Sequence, residues 1–286
     1  MVYLPAEAVM ELRYRIGRAI MAVLVTVLLI YLVLPQFIIV PLSFSDQSYL
    51  TFPPPGWSTK WFVRIAENPA WFEAAVNSLI IGVATAFTSM VLGTLAALTV
   101  ARGGSARAGL VSALVVAPMM LPHVILAIGL YPVMLNIGIL GSYAAAIVGH
   151  TVVGVPLVFI TVHAALAGYS SALELAAMTM GANPWQTFWQ ITFPMIRVGI
   201  VVGGILAFAT SFDELMLALF LTDAGTRTLP RLMWEQLNDY LTPTIAGVAT
   251  LVFSFTLLLL CIVSVLQSRV GRMVEADPAR SNTEVA

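Results

Sequence analysis

Six long apolar runs dominate this sequence, near residues 19–42, 74–100, 109–134, 143–166, 197–221 and 244–267. Each meets or exceeds the ~20 residues that a helix needs to cross a bilayer. Composition points the same way: 60% of the residues are hydrophobic and 9% charged, against about 45–50% and about 25% in soluble domains. The 13 basic and 14 acidic side chains cannot give polar cover to a soluble surface of 286 residues, so a soluble globule and a disordered chain are both excluded. Pro118, Pro122, Pro132 and Pro156 fall inside the runs. A helix bundle tolerates them, because neighbouring helices satisfy the freed backbone groups. The expected fold is an all-α integral membrane protein with six transmembrane helices. A membrane domain over 19–267 is flanked by an N-terminal segment, 1–18, and a tail, 268–286.

Arg13, Arg15 and Arg18 precede the first run, as in a secretory signal, but the run outlasts the ~7–15 residues of a signal core. It reads as an uncleaved helix. With the N-terminus inside, the inner segments hold Arg13, Arg15, Arg18, Arg102, Arg107, Arg197, Arg269, Arg272 and Arg280. The outer ones hold Lys60, Arg64, Arg227 and Arg231. This asymmetry fits the positive-inside rule and puts both termini in the cytoplasm.

Other classes fall away. Lys60 is the single lysine and lies between Thr59 and Trp61, so there is no Gly-Lys-Ser/Thr triplet to hold a nucleotide's phosphates. Any P-loop ATP hydrolysis must come from a partner. A net charge of −1 offers no basic surface for nucleic acid. Cys261 is the one cysteine, which rules out an internal disulfide or a thiolate cluster, and its apolar setting reads as packing. Around residues 43–73, Trp57, Trp61, Phe62, Trp71 and Phe72 read as an interfacial aromatic belt. A docking surface for an external partner is the other reading.

The longest internal connection, 167–195, is unusual. Ser170 or Ser171 can cap a helix there, Glu174 sits near its positive end, and Gly181 is suited to end it. Asn183-Pro184 then opens a second helical turn, with Phe188 and Ile191 on one face and Pro194 before the fifth run. The expectation is two short helices on the inner membrane face. A lipid-binding amphipathic helix carries Lys or Arg on its polar face, and Ala167–Met195 has neither. Its small, apolar, faintly acidic surface suits another protein.

The pattern Glu…Ala-Ala…Gly…Phe…Ile…Pro resembles the EAA loop of bacterial ATP-binding-cassette importer permeases, whose coupling helix enters a cleft on the ATPase subunit. Ala176, Ala177, Gly181, Phe188, Ile191 and Pro194 fall on that motif. Leu175 stands where the family carries glutamate, and Glu174 lies one position earlier. Asn77-Ser78-Leu79, Ala101-Arg102 and Pro118–Pro122 with Gly129-Leu130 are similar to other family segments. Ser211-Phe-Asp213-Glu214 and Thr228-Leu-Pro230 resemble the spermidine/putrescine type. The resemblance implies the type I importer permease fold and a transport subunit without covalent chemistry, located in the inner membrane. It also implies partners: a second permease forming a heterodimer, two ATPase subunits that bind ATP and Mg, and an external solute-binding protein.

Ionisable groups inside a span are functional candidates. Asp213 and Glu214 lie near the outer part of the fifth run, about 24 Å from Arg197 at 1.5 Å per residue. Neither has a basic partner at helical spacing within the run, so a carboxylate facing a cavity would favour a cationic solute. His123, His150 and His163 lack the company of a metal site and read as structural hydrogen-bond formers. Asn77 and Asn136 read as caps or interhelical bonds. The leading reading is the permease subunit of an importer for a small organic cation, a polyamine first. The alternatives are the same importer class for an amino-acid derivative, thiamine or an iron complex, and a stand-alone secondary transporter.

Overall fold

The computed structural model describes residues 6–103, 105–168, 170–239 and 242–275. The chain is built of helices: α1 (Ala6–Ser43), α2 (Lys60–Glu67), α3 (Pro69–Arg102), α4 (Ser105–Val116), α5 (His123–Asn136), α6 (Tyr143–Ala167), α7 (Ala172–Thr179), α8 (Pro184–Thr187), α9 (Phe193–Phe212), α10 (Met216–Leu221), α11 (Leu229–Asp239) and α12 (Pro243–Glu275). Five helices among the described residues are long and apolar enough to cross a membrane, or six if one bent pair counts as a span. The tail beyond residue 275 and the first five residues lie outside the described part.

Two compact units divide the chain. One comprises residues 1–65 and 241–252. Its α1 exposes apolar side chains all round from Ile20 to Leu34, as a lipid-facing helix does. Trp61 is buried, donates from Nε1 to the Ser45 carbonyl at 2.7 Å, and lies beneath the Lys60 and Arg64 cations. The expected aromatic belt is therefore only partly one: Trp61 and Trp71 are interior packing, while Trp57 and Phe72 are exposed. Interior backbone partners and packed neighbours outweigh the preference of indole for the interface.

The other unit, residues 66–240 with 253–286, is organised on α3, α6 and α9. Ala97, Val158, Phe159, Val162, Ile196 and Ala207 form its centre. Small residues let these backbones approach closely, the usual basis of helix association in lipid. A Cβ on Gly203 would stand 2.7 Å from the Val158 Cα, and one on Gly93 would stand 2.7 Å from the Val158 Cβ. Cys261, expected to pack, is exposed on α12.

Three expected continuities break or fuse. The run 109–134 is not one helix: α4 ends at Val116, a 3₁₀ turn covers Ala117–Met120, and α5 leaves at 105°. Pro118 and Pro122 lack the N–H groups to continue the ladder, and Pro122 drives Leu121 into an extended conformation, φ −88° and ψ 136°. The run 197–221 also breaks, between Phe212 and Met216. Conversely, the second short helix of the 167–195 connection is not separate. From Pro184 the helix runs on to Phe212 through a π-helical stretch, Phe188–Thr192. Pro194 follows that stretch inside the continuous helix and has no N–H for the ladder, and the widened π-helical turn, closed by the Phe193 N–H on the Phe188 carbonyl, falls where the ladder is interrupted.

Candidate functional site

Two polar clusters lie at the two ends of α9, and the chain folds locally to build each.

At the N-terminal end, α7 has only two turns. Its start is held by Ser170, whose Oγ accepts from the Ala172 N–H at 3.3 Å. Its end is a Schellman turn in which the Ala182 N–H bonds to the Ala177 carbonyl at 3.0 Å and the Gly181 N–H to Met178 at 3.1 Å. That turn needs a left-handed residue, and Gly181 supplies φ +95°. Asn183 and Gln186 then exchange bonds of 2.8 and 3.0 Å in a capping box that restarts the helix at Pro184. Leu175, Ala176, Met180, Gly181 and Trp185 are exposed, Met180 at 83%. Ala177 is buried at 5% and faces its own chain, Phe188 and Ile191 are half-buried, and Pro194 is exposed.

Glu174 turns inward. Its Oε1 accepts from Arg102 Nη2 at 2.9 Å and from Thr192 Oγ1 at 2.6 Å, and its side chain is only 15% exposed. The expected faintly acidic surface is corrected accordingly: the carboxylate closes against α3 and the π-helical stretch, leaving an apolar face.

At the C-terminal end, the break after Phe212 separates two adjacent carboxylates. Asp213 is exposed and Glu214 is buried at 7%. Glu214 Oε1 accepts from the Leu217 N–H at 3.0 Å, which starts α10, and Oε2 lies 2.6 Å from His123 Nδ1. The expectation of carboxylates without a basic partner fails for Glu214. Its partner opens α5, 91 residues away, so spacing within one run could not reveal it. His123 directly follows the break at Pro122, so the His123–Glu214 contact stitches the two broken runs together. In the last turn of α9, directly before the second break, Ser211 Oγ lies 2.7 Å from His150 Nδ1, while His150 Nε2 is buried without a protein partner. His123 and His150 are hydrogen-bonded, as the sequence suggests; His163 stacks on Phe159 with Nδ1 unpartnered. Broken backbone at membrane depth is tolerated where it is buried in protein or lines a cavity, and in transporters such breaks frame solute sites.

The 222–239 segment closes this end. Asn77 donates to the Gly225 and Arg227 carbonyls at 3.1 and 3.0 Å and accepts from Tyr143 Oη at 2.6 Å. It is thus the interhelical bond former expected of it. The Gly225 and Thr226 N–H groups hold the Asp223 carboxyl below its usual range. Burial pushes the Glu235 carboxyl up, but Arg231 and Arg227 at 2.9 Å outweigh it and hold it down.

Residues 89–274 match the family of binding-protein-dependent transport system inner membrane components. The chain belongs to this family. It is a multi-pass inner-membrane permease subunit of an ATP-binding-cassette importer, a transport component and not an enzyme. The putrescine transport system permease protein PotI of Escherichia coli is 30% identical over 233 residues, 78% of this chain and 81% of that one. The spermidine/putrescine transport system permease protein PotC of Escherichia coli is 26% identical over 94% of this chain and 98% of that one. Among solved structures, a bacterial importer of the acidic polysaccharide alginate superposes with a TM-score of 0.66 at 15% identity, covering 92% of this chain and 98% of that one. That likeness supports the type I permease fold.

His123, His150, Arg102 and Thr192 join these clusters through packing, and none stands out in the sequence as a site residue. A histidine immediately after a proline inside an apolar run was the available signal for His123. In the sequence Arg102 reads as an orienting charge and as part of the Ala101-Arg102 family segment.

Proposed function

We propose that the chain is one permease half of an ATP-driven, binding-protein-dependent importer of a small organic cation, with a polyamine as the first candidate. The observation that carries this reading is the similarity to PotI and PotC over most of their length. The buried Glu214 carboxylate, set where both runs break, agrees with it. An ammonium group leaving water needs a compensating charge. Glu214 supplies that charge within the solute path, and exposed Asp213 marks its mouth.

In this reading the Arg-rich segments lie in the cytoplasm, with both termini. The 167–195 loop then faces an ATPase pair that binds ATP and Mg. Ala176, Gly181 and neighbouring Met180 form the docking surface, while Ala177, Phe188, Ile191 and Pro194 hold its shape. A second, different permease completes the membrane domain, and an external binding protein delivers solute. Closure of the ATPase pair pushes α7, and the two states of the cavity differ in solute affinity.

The test is uptake into proteoliposomes holding the whole complex, screened with labelled putrescine, spermidine, γ-aminobutyrate and thiamine. ATP-dependent accumulation of a polyamine is the expected result. Preference for an anionic solute, or uptake driven by an ion gradient without ATP, contradicts the reading. Met180→Arg tests the loop: it leaves the permease folded and releases the ATPase, whereas an ATPase that copurifies at the wild-type level refutes docking there.

A further inference from the structure

We infer that Arg102, Glu174 and Thr192 form a clasp that makes the loop and the adjoining ends of α3 and α9 move as one body. In this role Glu174 is an internal strut and not a contact to the ATPase. The inference rests on the reading of the loop as the ATPase docking surface and adds how a push there reaches the membrane helices.

Helix α7 has eight residues, too few to hold itself rigid against its neighbours. It is bounded by Gly168 on one side and by the left-handed Gly181 on the other. A displacement applied to such a segment is absorbed by its flanks unless something ties it down. One oxygen of Glu174 does so, joining the last turn of α3 through Arg102, 72 residues away, and the π-helical stretch through Thr192, 18 residues away. Both bonds are charge-assisted, so each is about twice as strong as a neutral one. Thr192 is fully buried, which fixes the clasp to the base of α9. A glutamate that engaged the ATPase would present its carboxylate outward; this one is spent within the chain. Arg102 is half-exposed, so it returns to water when its partner is removed, and the single variants fold.

The experiment uses the full complex with Cys261→Ser, carrying spin labels at Leu173→Cys on α7, outside the docking surface, and Leu95→Cys on α3, both exposed positions. In the parent a single narrow distance persists through ATP binding. Glu174→Gln and Arg102→Gln broaden it without releasing the ATPase, and the exchange Arg102→Glu with Glu174→Arg narrows it again. With putrescine as probe, solute moved per ATP falls about tenfold in the single variants, within the range of a coupling free energy between sites. Narrow distances in both single variants overturn the clasp. So does release of the ATPase by Glu174→Gln alone, which would make the carboxylate an ATPase contact. If a single variant fails to fold, Thr192→Val removes one bond only, and an unbroadened distance there overturns the clasp equally. A Met180→Arg protein that keeps its ATPase refutes docking but not the clasp, because the distance measurement does not depend on where the ATPase sits.

Discussion

Glu174 and Glu214 stand at opposite ends of α9 and are built alike: each is a largely buried carboxylate with one basic partner from another helix and one further donor from its own neighbourhood. They differ in the partner. Arg102 offers a rigid, planar fork of donors. His123 meets its carboxylate through a single ring nitrogen, and it is partly exposed. The first pair is suited to hold one geometry while force passes through it. The second is suited to release its carboxylate to a cation and take it back. One helix therefore carries a fixed joint at the end proposed to meet the ATPase and a re-partnering joint at the end proposed to meet solute.

The contrast breaks most readily at Glu214. Glu214→Gln preserves shape and removes charge, and a hydrogen bond to a charged group is worth about 1.5–3 kcal/mol, or about 10–150-fold. Putrescine uptake at low concentration is expected to fall within that range while basal ATP hydrolysis persists. Unchanged uptake would reduce Glu214 to a stitch between broken helices. His123 sharpens the point with a smaller effect. His123→Gln keeps a donor to the carboxylate and retains most uptake, whereas His123→Leu strands a buried charge and lowers uptake several-fold. Equal behaviour of the two would show that the donor is irrelevant.

The helix between the two joints makes its own prediction. Gly203→Ala forces a methyl against the Val158 backbone, and overpacking costs about 1–3 kcal/mol. Gly129→Ala, where nothing lies within 4 Å, stabilises α5 by roughly 0.5–1 kcal/mol through lost unfolded-state freedom. Thermal unfolding in detergent should separate the two in sign. The smallest effect concerns Glu235. Its carboxyl titrates below the ordinary 4.5 in the folded chain, so its contribution is full above that value and is lost as pH falls through the depressed one. Glu235→Gln should lower the melting temperature slightly at pH 7, by an amount that shrinks as the pH falls below 4.5. A difference that grows on acidification contradicts the pairing with Arg227 and Arg231.

The apolar runs were legible because lipid imposes length and composition on any spanning helix. Gly181 was legible because a glycine after a short helical period has few other uses. The breaks were not: Pro118 and Pro122 are compatible with a kinked helix as well as a 105° turn, and packing of α5 against α10 decides between them. The clasp and the His123–Glu214 pair escaped for a different reason. Each joins residues 72 and 91 positions apart, and no local period encodes a partner at that distance.

The most direct test measures two quantities on the same proteoliposomes, the putrescine concentration that half-saturates uptake and the putrescine moved per ATP hydrolysed, for Glu174→Gln and Glu214→Gln. The account predicts that Glu214→Gln raises the first with basal hydrolysis intact, and that Glu174→Gln lowers the second with half-saturation unchanged. Both substitutions moving the same quantity, or uptake that proceeds without ATP, would contradict it.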